Sequence, residues 1–347
     1  MHQAAGWIGE PEGMVGNSIE NRENKMIRTR VTDMLGIRYP IIGGTMMWIS
    51  NADFVAAISN AGGLGILASA IYASREEFGA AIDRVQALTD RLFAVNLNLF
   101  PAMRPIDNND YLDVLLEKGV RIVETSGHSA PEDLCGRFRD AGLKWIHKCV
   151  GVRYARKAQR LGADVITVVG YENGGATGKL DIGTLVLVPT VVDALDLPVI
   201  GGGGVSDGRG VAAVLSLGAE AVIIGTRLLV TQECPIHDNI KRALCHASEL
   251  DTMLIMRSIN ATHRVWTNAS ACKCAELEAA QADFFEEIYP VVSGENAKKM
   301  YTSGDTDCGI LSVGQGIGIC GDIPTVADLF DRMMGQAEAS LGRFASC

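Results

Sequence analysis

The sequence predicts a closed (β/α)8 barrel, and three observations carry the prediction. A short apolar run rich in Val and Ile recurs eight times between residues 40 and 227. Each run but the last leads through a turn into an amphipathic stretch, and that alternation is the signature of parallel strands covered by helices. The chain has 347 residues, enough for a barrel, which typically takes about 250. Eight strands close a barrel, although periodicity alone describes an open doubly wound sheet equally well.

The strands are read, in order, as PIIGG from Pro40, LGILAS from Leu64, FAVNLNL from Phe93, RIVETS from Arg121, KWIHKCV from Lys144, VITVVG from Val165, PVIGGGG from Pro198 and AVIIGTR from Ala221. Helices fill the gaps, from Ala52 to Ala61, Ser74 to Leu88, Tyr111 to Lys118, Pro131 to Ala141, Val152 to Leu161, Ile182 to Leu195 and Gly208 to Leu217. Several run into Gly, as in AGG after Asn60, KGV, AGL and LGA twice, which reads as helix termination in the left-handed conformation. After the eighth strand the rhythm stops. Residues 231–304 are helical in pattern with no strand partners, and IPTVADLFDRMMGQAEASLGRF closes the chain as a last helix. The reading is a helical lid at 231–304, inserted into a barrel formed by 28–230 and 305–347, so that it stands over the C-terminal ends of the strands. Residues 1–27 are polar and lack periodicity, and are expected to be a disordered extension.

Asp and Glu outnumber Lys and Arg by 41 to 31, a formal net charge of −10, and no basic patch offsets it, which argues against a nucleic-acid partner. No run of about 20 apolar residues spans a membrane. The nine cysteines form no CxxC pair and no apolar leader precedes them, so reduced thiols in the cytoplasm are expected. Cys272 and Cys274, with Cys245 and His246, have no ordinary zinc spacing, and no metal is expected. The expected partner is a small-molecule substrate, bound by a monomer or a homodimer.

The sharpest chemical signal is PVIGGGGVSDGRG at 198–210, followed by AVIIGTR. Consecutive glycines at a strand end leave main-chain N–H groups open to a phosphate, and the helix starting near Asp207 adds its positive end. In barrels a phosphate commonly lies between the loops after strands seven and eight. Gly203, Gly204, Val205, Gly225 and Thr226 are therefore the candidate phosphate residues, the alternative being a tight turn without a ligand. No GxGxxG follows a strand, so a nicotinamide nucleotide would bind only transiently.

Together with PIIGGTMMWIS, SNAGGLGIL, FAVNLNL, WIHKCV and SGDTDCGILSVGQ, these two loops resemble the nitronate monooxygenase family, formerly the 2-nitropropane dioxygenases, and within it most closely the FMN-dependent NADH:quinone reductases. The resemblance runs from about Arg28 to the C-terminus. It implies a TIM barrel holding FMN without a covalent link, beneath a helical lid, with NAD(P)H as a transient electron donor. By motif, Thr45, Met46 and Met47 would touch the isoalloxazine through the main chain, Asn96 and Asn98 would hydrogen-bond its edge, and Gly174 and Gly175 would let the chain pass close by. Lys148 would stabilise negative charge on the reduced ring; Trp145, Ile146 and Cys149 around it suit a lysine held inside rather than one snorkelling to solvent.

One departure matters. The family usually reads Glu-x-Gly-Gly-His after strand six and uses that histidine as a base, whereas this chain has GYENGGATG, with Ala176 at the histidine position. A methyl group cannot take a proton. His128, Tyr171 and Glu172 are the remaining candidates for catalytic proton transfer on that face. His147 is expected to be structural, because strand alternation turns it away from Lys148, and His237 and His263 are given no role. The expected activity is NAD(P)H-dependent reduction of a quinone, enone or similar conjugated acceptor. The alternatives are oxidation of alkyl nitronates with O2 and a flavin-binding barrel without turnover.

Overall fold

The computed structural model describes residues 27–100, 107–127, 129–178 and 180–345. The expected disordered extension and His128 therefore lie outside the described residues, Ile27 apart. All eight expected barrel strands form: β1 (Ile41–Gly43), β2 (Ile66–Ala68), β3 (Ala94–Asn98), β4 (Ile122–Ser126), β5 (Lys144–Cys149), β6 (Val165–Val169) and, beyond a two-residue strand β7 (Gly175–Ala176), β8 (Val199–Gly202) and β9 (Ala221–Ile224). They pair in parallel in the order β1-β9-β8-β6-β5-β4-β3-β2. A further parallel bridge, Ile42 to Leu64, joins the two ends. There the Gly43 amide donates to the Leu64 carbonyl at 2.9 Å and the Leu64 amide to the Ile41 carbonyl at 3.0 Å. The sheet is thus a closed TIM barrel, and the open alternative falls.

Alternation sends every second side chain to the axis. Ile42, Ile66, Ala94, Ile122, Ile146, Val165, Ile200 and Ala221 form one buried interior cluster, completed by Val31 and Leu35. Those two residues belong to a short helix, Arg30–Leu35, which the sequence reading missed; Thr29 and Thr32 cap each other at its start. It plugs the N-terminal end of the barrel. One pleat further along, toward the C-terminal ends, the interior turns polar with Asn96, Glu124, Ser126 and Thr167.

Outside the barrel, the covering helices begin where Asn51, Ser74, Asp107 and Asp207 accept hydrogen bonds from first-turn amides. The glycines expected to end helices, Gly62, Gly119, Gly142, Gly162 and Gly218, all have positive φ. The helix expected from Pro131 starts only at Cys135, and that expected over 182–195 spans Thr184–Val192. The final helix, Val326–Ala345, lies against Gly208–Ser216 and Ala52–Asn60 and completes the outer ring. A Cβ on Gly208 would stand 2.1 Å from the Met333 carbonyl oxygen, so the two helices touch through their backbones.

The lid departs from expectation. Helices Asp238–Cys245, Ala269–Ala279 and Gly294–Ser303 are present, but so is an antiparallel hairpin, β10 (Thr252–Ile255) and β11 (His263–Trp266). β11 pairs on its other edge with β7, from the loop after β6. The lid is therefore not wholly helical. Short apolar runs such as TMLIM fit a helix tail and a strand equally, and the choice is made by partners distant in sequence. No described helix is long and apolar enough to cross a membrane.

On the outer face of the sheet, as alternation requires, His147 is fully buried beside Trp145. The Thr125 hydroxyl accepts from the Trp145 indole at 2.8 Å and meets His147 Nδ1 at 2.8 Å. Burial pushes the imidazole down to about 4 from its usual 6.5, so the unfolded chain takes up a proton that the folded chain refuses. The stabilisation is complete above pH 6.5 and is lost as the pH falls toward 4, amounting to at most roughly 3 kcal/mol. In pH-dependent thermal unfolding, His147→Gln should flatten the profile between pH 6.5 and 4; an unchanged slope would assign acid sensitivity to other groups.

Candidate active site

The C-terminal ends of the strands gather the polar side chains. Glu124, fully buried on β4, accepts through Oε2 from the Thr45 hydroxyl at 2.8 Å and the Asn96 amide at 2.7 Å; Asn96 also donates to Ser126 Oγ at 3.1 Å. Its other oxygen, Oε1, is buried without a hydrogen-bond partner among the described residues, as is Thr167 Oγ1. Both hydrogens of the Asn96 amide are thereby committed within the protein. Asn98, expected to reach a cofactor ring, instead has its amide on the Phe100 backbone, accepting from N and donating to O at 3.3 Å each. Lys148 lies half-buried on β5, in register with Ser126 and Thr167 and so facing the axis with them.

The loop after β1 turns tightly: the Met46 amide donates to Ser50 Oγ at 2.9 Å, and Trp48 takes φ 63°. Met46 Sδ lies 3.9 Å from the place a Cβ would occupy on Gly225, which brings this loop beside the one after β9, while Met47 remains exposed. The loop after β8 turns on two consecutive glycines. Gly203 and Gly204 have φ of 102° and 73°, and their amides enter no turn or capping hydrogen bond among the described residues. A Cβ on Gly203 would strike Thr184 Oγ1 at 2.6 Å and Gly170 N at 2.8 Å, whereas one on Gly204 meets only the Glu172 side chain, at 3.4 Å or beyond. Gly203 thus answers to packing and Gly204 to the open side of the loop. Val205 is buried, and Ser206 Oγ is buried without a partner among the described residues. Thr226 receives a hydrogen bond from the Gly314 amide at 2.9 Å through its hydroxyl.

The segment after β6 serves the chain as much as any ligand. Glu172 receives the Thr184 amide at 3.0 Å and the Thr184 hydroxyl at 2.9 Å, so its carboxylate caps the start of helix Thr184–Val192. At Gly174 a Cβ would stand 2.8 Å from Gly314 N; the close neighbour that demands glycine here is main chain. Gly175 and Ala176 pair across β7 with Arg264 and His263. Directly opposed residues place their Cβ atoms about 5 Å apart on one face, so the methyl group at the family's histidine position has an imidazole beside it. His263 Nδ1 meets the Ala261 carbonyl at 3.0 Å, and burial lowers its pKa. Over Tyr171 lies the guanidinium of Arg264, 4.7 Å from the ring centre.

Three residues of this site have no role in the sequence reading. Glu124 was legible as a lone carboxylate inside an apolar strand, but Arg264 and His263 lay in a stretch read as helix. For Glu124 the structure sets a stability test. Glu124→Ala strands the donors of Thr45 and Asn96 and should lower stability by roughly 2–4 kcal/mol. Glu124→Gln keeps an acceptor for both while removing the carboxylate, and should be near neutral in thermal unfolding. Equal losses in the two variants would mean that the acceptor is not what Glu124 supplies.

The Nitronate monooxygenase family model matches residues 28–112 and 102–335. A (3aS,4S,5R,7aS)-5-hydroxy-7a-methyl-1-oxo-octahydro-1H-indene-4-carboxyl-CoA dehydrogenase of Rhodococcus jostii is 31% identical, the alignment covering 90% of this chain and 96% of the relative. A probable nitronate monooxygenase of Staphylococcus saprophyticus is 31% identical over 66% of this chain and 75% of its own. Among solved structures, FabK from Thermotoga maritima superposes with a TM-score of 0.83 at 31% identity, over 92% of this chain and 99% of that one. The chain belongs to the nitronate monooxygenase family of flavin-dependent oxidoreductases and is an enzyme of that class.

Proposed function

We propose that this enzyme uses FMN, takes electrons from NADH or NADPH and delivers them to a conjugated acceptor, a quinone, an enone or an unsaturated acyl thioester. The observation that supports FMN is the loop after β8: two glycines of positive φ whose amides enter no turn or capping hydrogen bond among the described residues. A cradle that a Cβ on Gly204 would begin to fill suits one phosphate. When bound, the flavin supplies the two-electron carrier that connects donor and acceptor.

Each chain residue then has a definite task. Gly203, Gly204, Val205, Gly225 and Thr226 hold the phosphate. Met46 and Met47 would border the ring through their main chain, and Glu124 holds Thr45 and Asn96 in place. The Lys148 ammonium, on the barrel axis, offsets negative charge that develops as electrons arrive. Ala176 removes the proton acceptor that abstraction from a neutral nitroalkane requires. Delivery of a hydride from a nicotinamide depends on positioning, and needs no base there. The thioester class is supported by the CoA-acting relatives. A second reading, oxidation of alkyl nitronates, is favoured by the staphylococcal relative and by the fact that an anionic nitronate has already lost its proton.

The protein should purify yellow and release FMN, not FAD, on denaturation, and anaerobic NADH or NADPH should bleach it. Recovery of FAD, or bleaching by nitronate but by neither nucleotide, would replace the first reading. Gly204→Ala places a methyl group at φ 73° for roughly 1–2 kcal/mol of strain and should cut flavin retention at least tenfold while the far-UV circular dichroism stays unchanged. Ala176→His should raise turnover of neutral nitroethane by roughly 10²–10⁴-fold and leave reduction by the nucleotide unaltered. If the unaltered enzyme already oxidises nitroethane well, His263, opposite Ala176, is the first residue to replace.

A further inference from the structure

Arg264 is 4% exposed. Its Nε donates to the Tyr171 carbonyl at 3.2 Å and one terminal nitrogen to the Thr252 hydroxyl at 3.2 Å. The other terminal nitrogen, Nη2, is buried with no partner among the described residues, and no described carboxylate forms an ion pair with the guanidinium. A buried cation without a counter-charge is costly, and arginine is rarely buried unpaired. The other arginine buried as deeply, Arg227 at 2% exposure, follows that rule: it is paired with Asp322 at 2.5 Å.

The geometry around Arg264 is that of a fork waiting for an oxyanion. Its guanidinium carbon lies 4.7 Å from the Tyr171 ring centre, and two neutral oxygens hold it, while the unused N–H groups remain. Tyr171 directly follows β6 and Gly170, so this fork stands at the C-terminal mouth of the barrel, where Gly170 and Glu172, on either side of Tyr171, lie against Gly203 and Gly204.

We propose that Arg264 binds an oxyanion, a carboxylate or a phosphate, carried by the electron acceptor. The inference rests on the proposed reduction of a conjugated acceptor for the identity of the ligand, though not for the existence of the site. Because the chain carries a net charge of −10, its overall field repels such a ligand. Affinity must then come from short-range, two-point contact with a planar donor, a geometry a lysine cannot reproduce.

The test is calorimetric titration of the purified, flavin-loaded protein with two probes, coenzyme A for the phosphate source and cyclohexanecarboxylate for the carboxylate source. One of the two should bind saturably and more weakly as salt rises. Arg264→Met should weaken that binding at least tenfold, with Arg264→Lys in between, and both variants should retain the wild-type circular dichroism and flavin content. The better-bound probe identifies the source. Should the methionine variant fail to fold, the lysine variant carries the comparison, since it keeps the charge but loses the fork. Failure of both probes to bind the wild type, or equal affinity in folded variants, overturns the proposal. A protein that binds coenzyme A through Arg264 yet releases no FMN would instead overturn the proposed function and leave the anion site standing.

Discussion

The hydrogen bonds between the Gly43 amide and Leu64, and between the Leu64 amide and Ile41, turn an eight-stranded ladder into a ring. In a ring, every second residue of each strand has only the axis to face. The apolar half of that inward set, from Ile42 round to Ala221, packs against the plug helix Arg30–Leu35 and makes one end of the barrel solid. The polar half is then obliged to collect at the other end, where Glu124, Asn96, Ser126, Thr167 and Lys148 share one interior.

Polar groups gathered in that way must satisfy one another or await something else. Thr45, Asn96 and Ser126 are satisfied, largely through a single oxygen of Glu124. The other Glu124 oxygen, the Thr167 hydroxyl and one arm of Arg264 are not. These orphans lie along the polar end of the barrel and its lid, and they coincide with the places where the ring and the acceptor are proposed to bind. The contrast with His147 is instructive. It is equally buried and also keeps one ring nitrogen, Nε2, without a partner among the described residues, but on the outer face, where burial keeps the imidazole neutral.

The lid is tied to the barrel by the short pairing of β7 with β11. This pairing sets Ala176 against His263 and lays Arg264 over Tyr171. It also explains the glycines after β6, because Gly174 must clear the backbone at Gly314 where the chain returns from the lid. The same loop therefore answers to two constraints, and Glu172 also holds the start of the next helix.

What the sequence by itself determined is what local chemistry can determine: eight strands, most of the covering helices, the glycines that end them, and the glycine turn after β8, since apolar period and positive φ are properties of a few consecutive residues. That His147 and Lys148 face opposite ways followed from alternation alone. Tertiary structure decided whatever depends on partners far along the chain. Leu64 against Ile42 decided closure, β7 and β10 on either side of β11 decided that TMLI and HRVW are strands, and the fold of the lid onto the barrel decided that Arg264 is buried without a counter-charge. Register between distant strands is fixed by burial summed over the whole core, and no window of the sequence contains that sum.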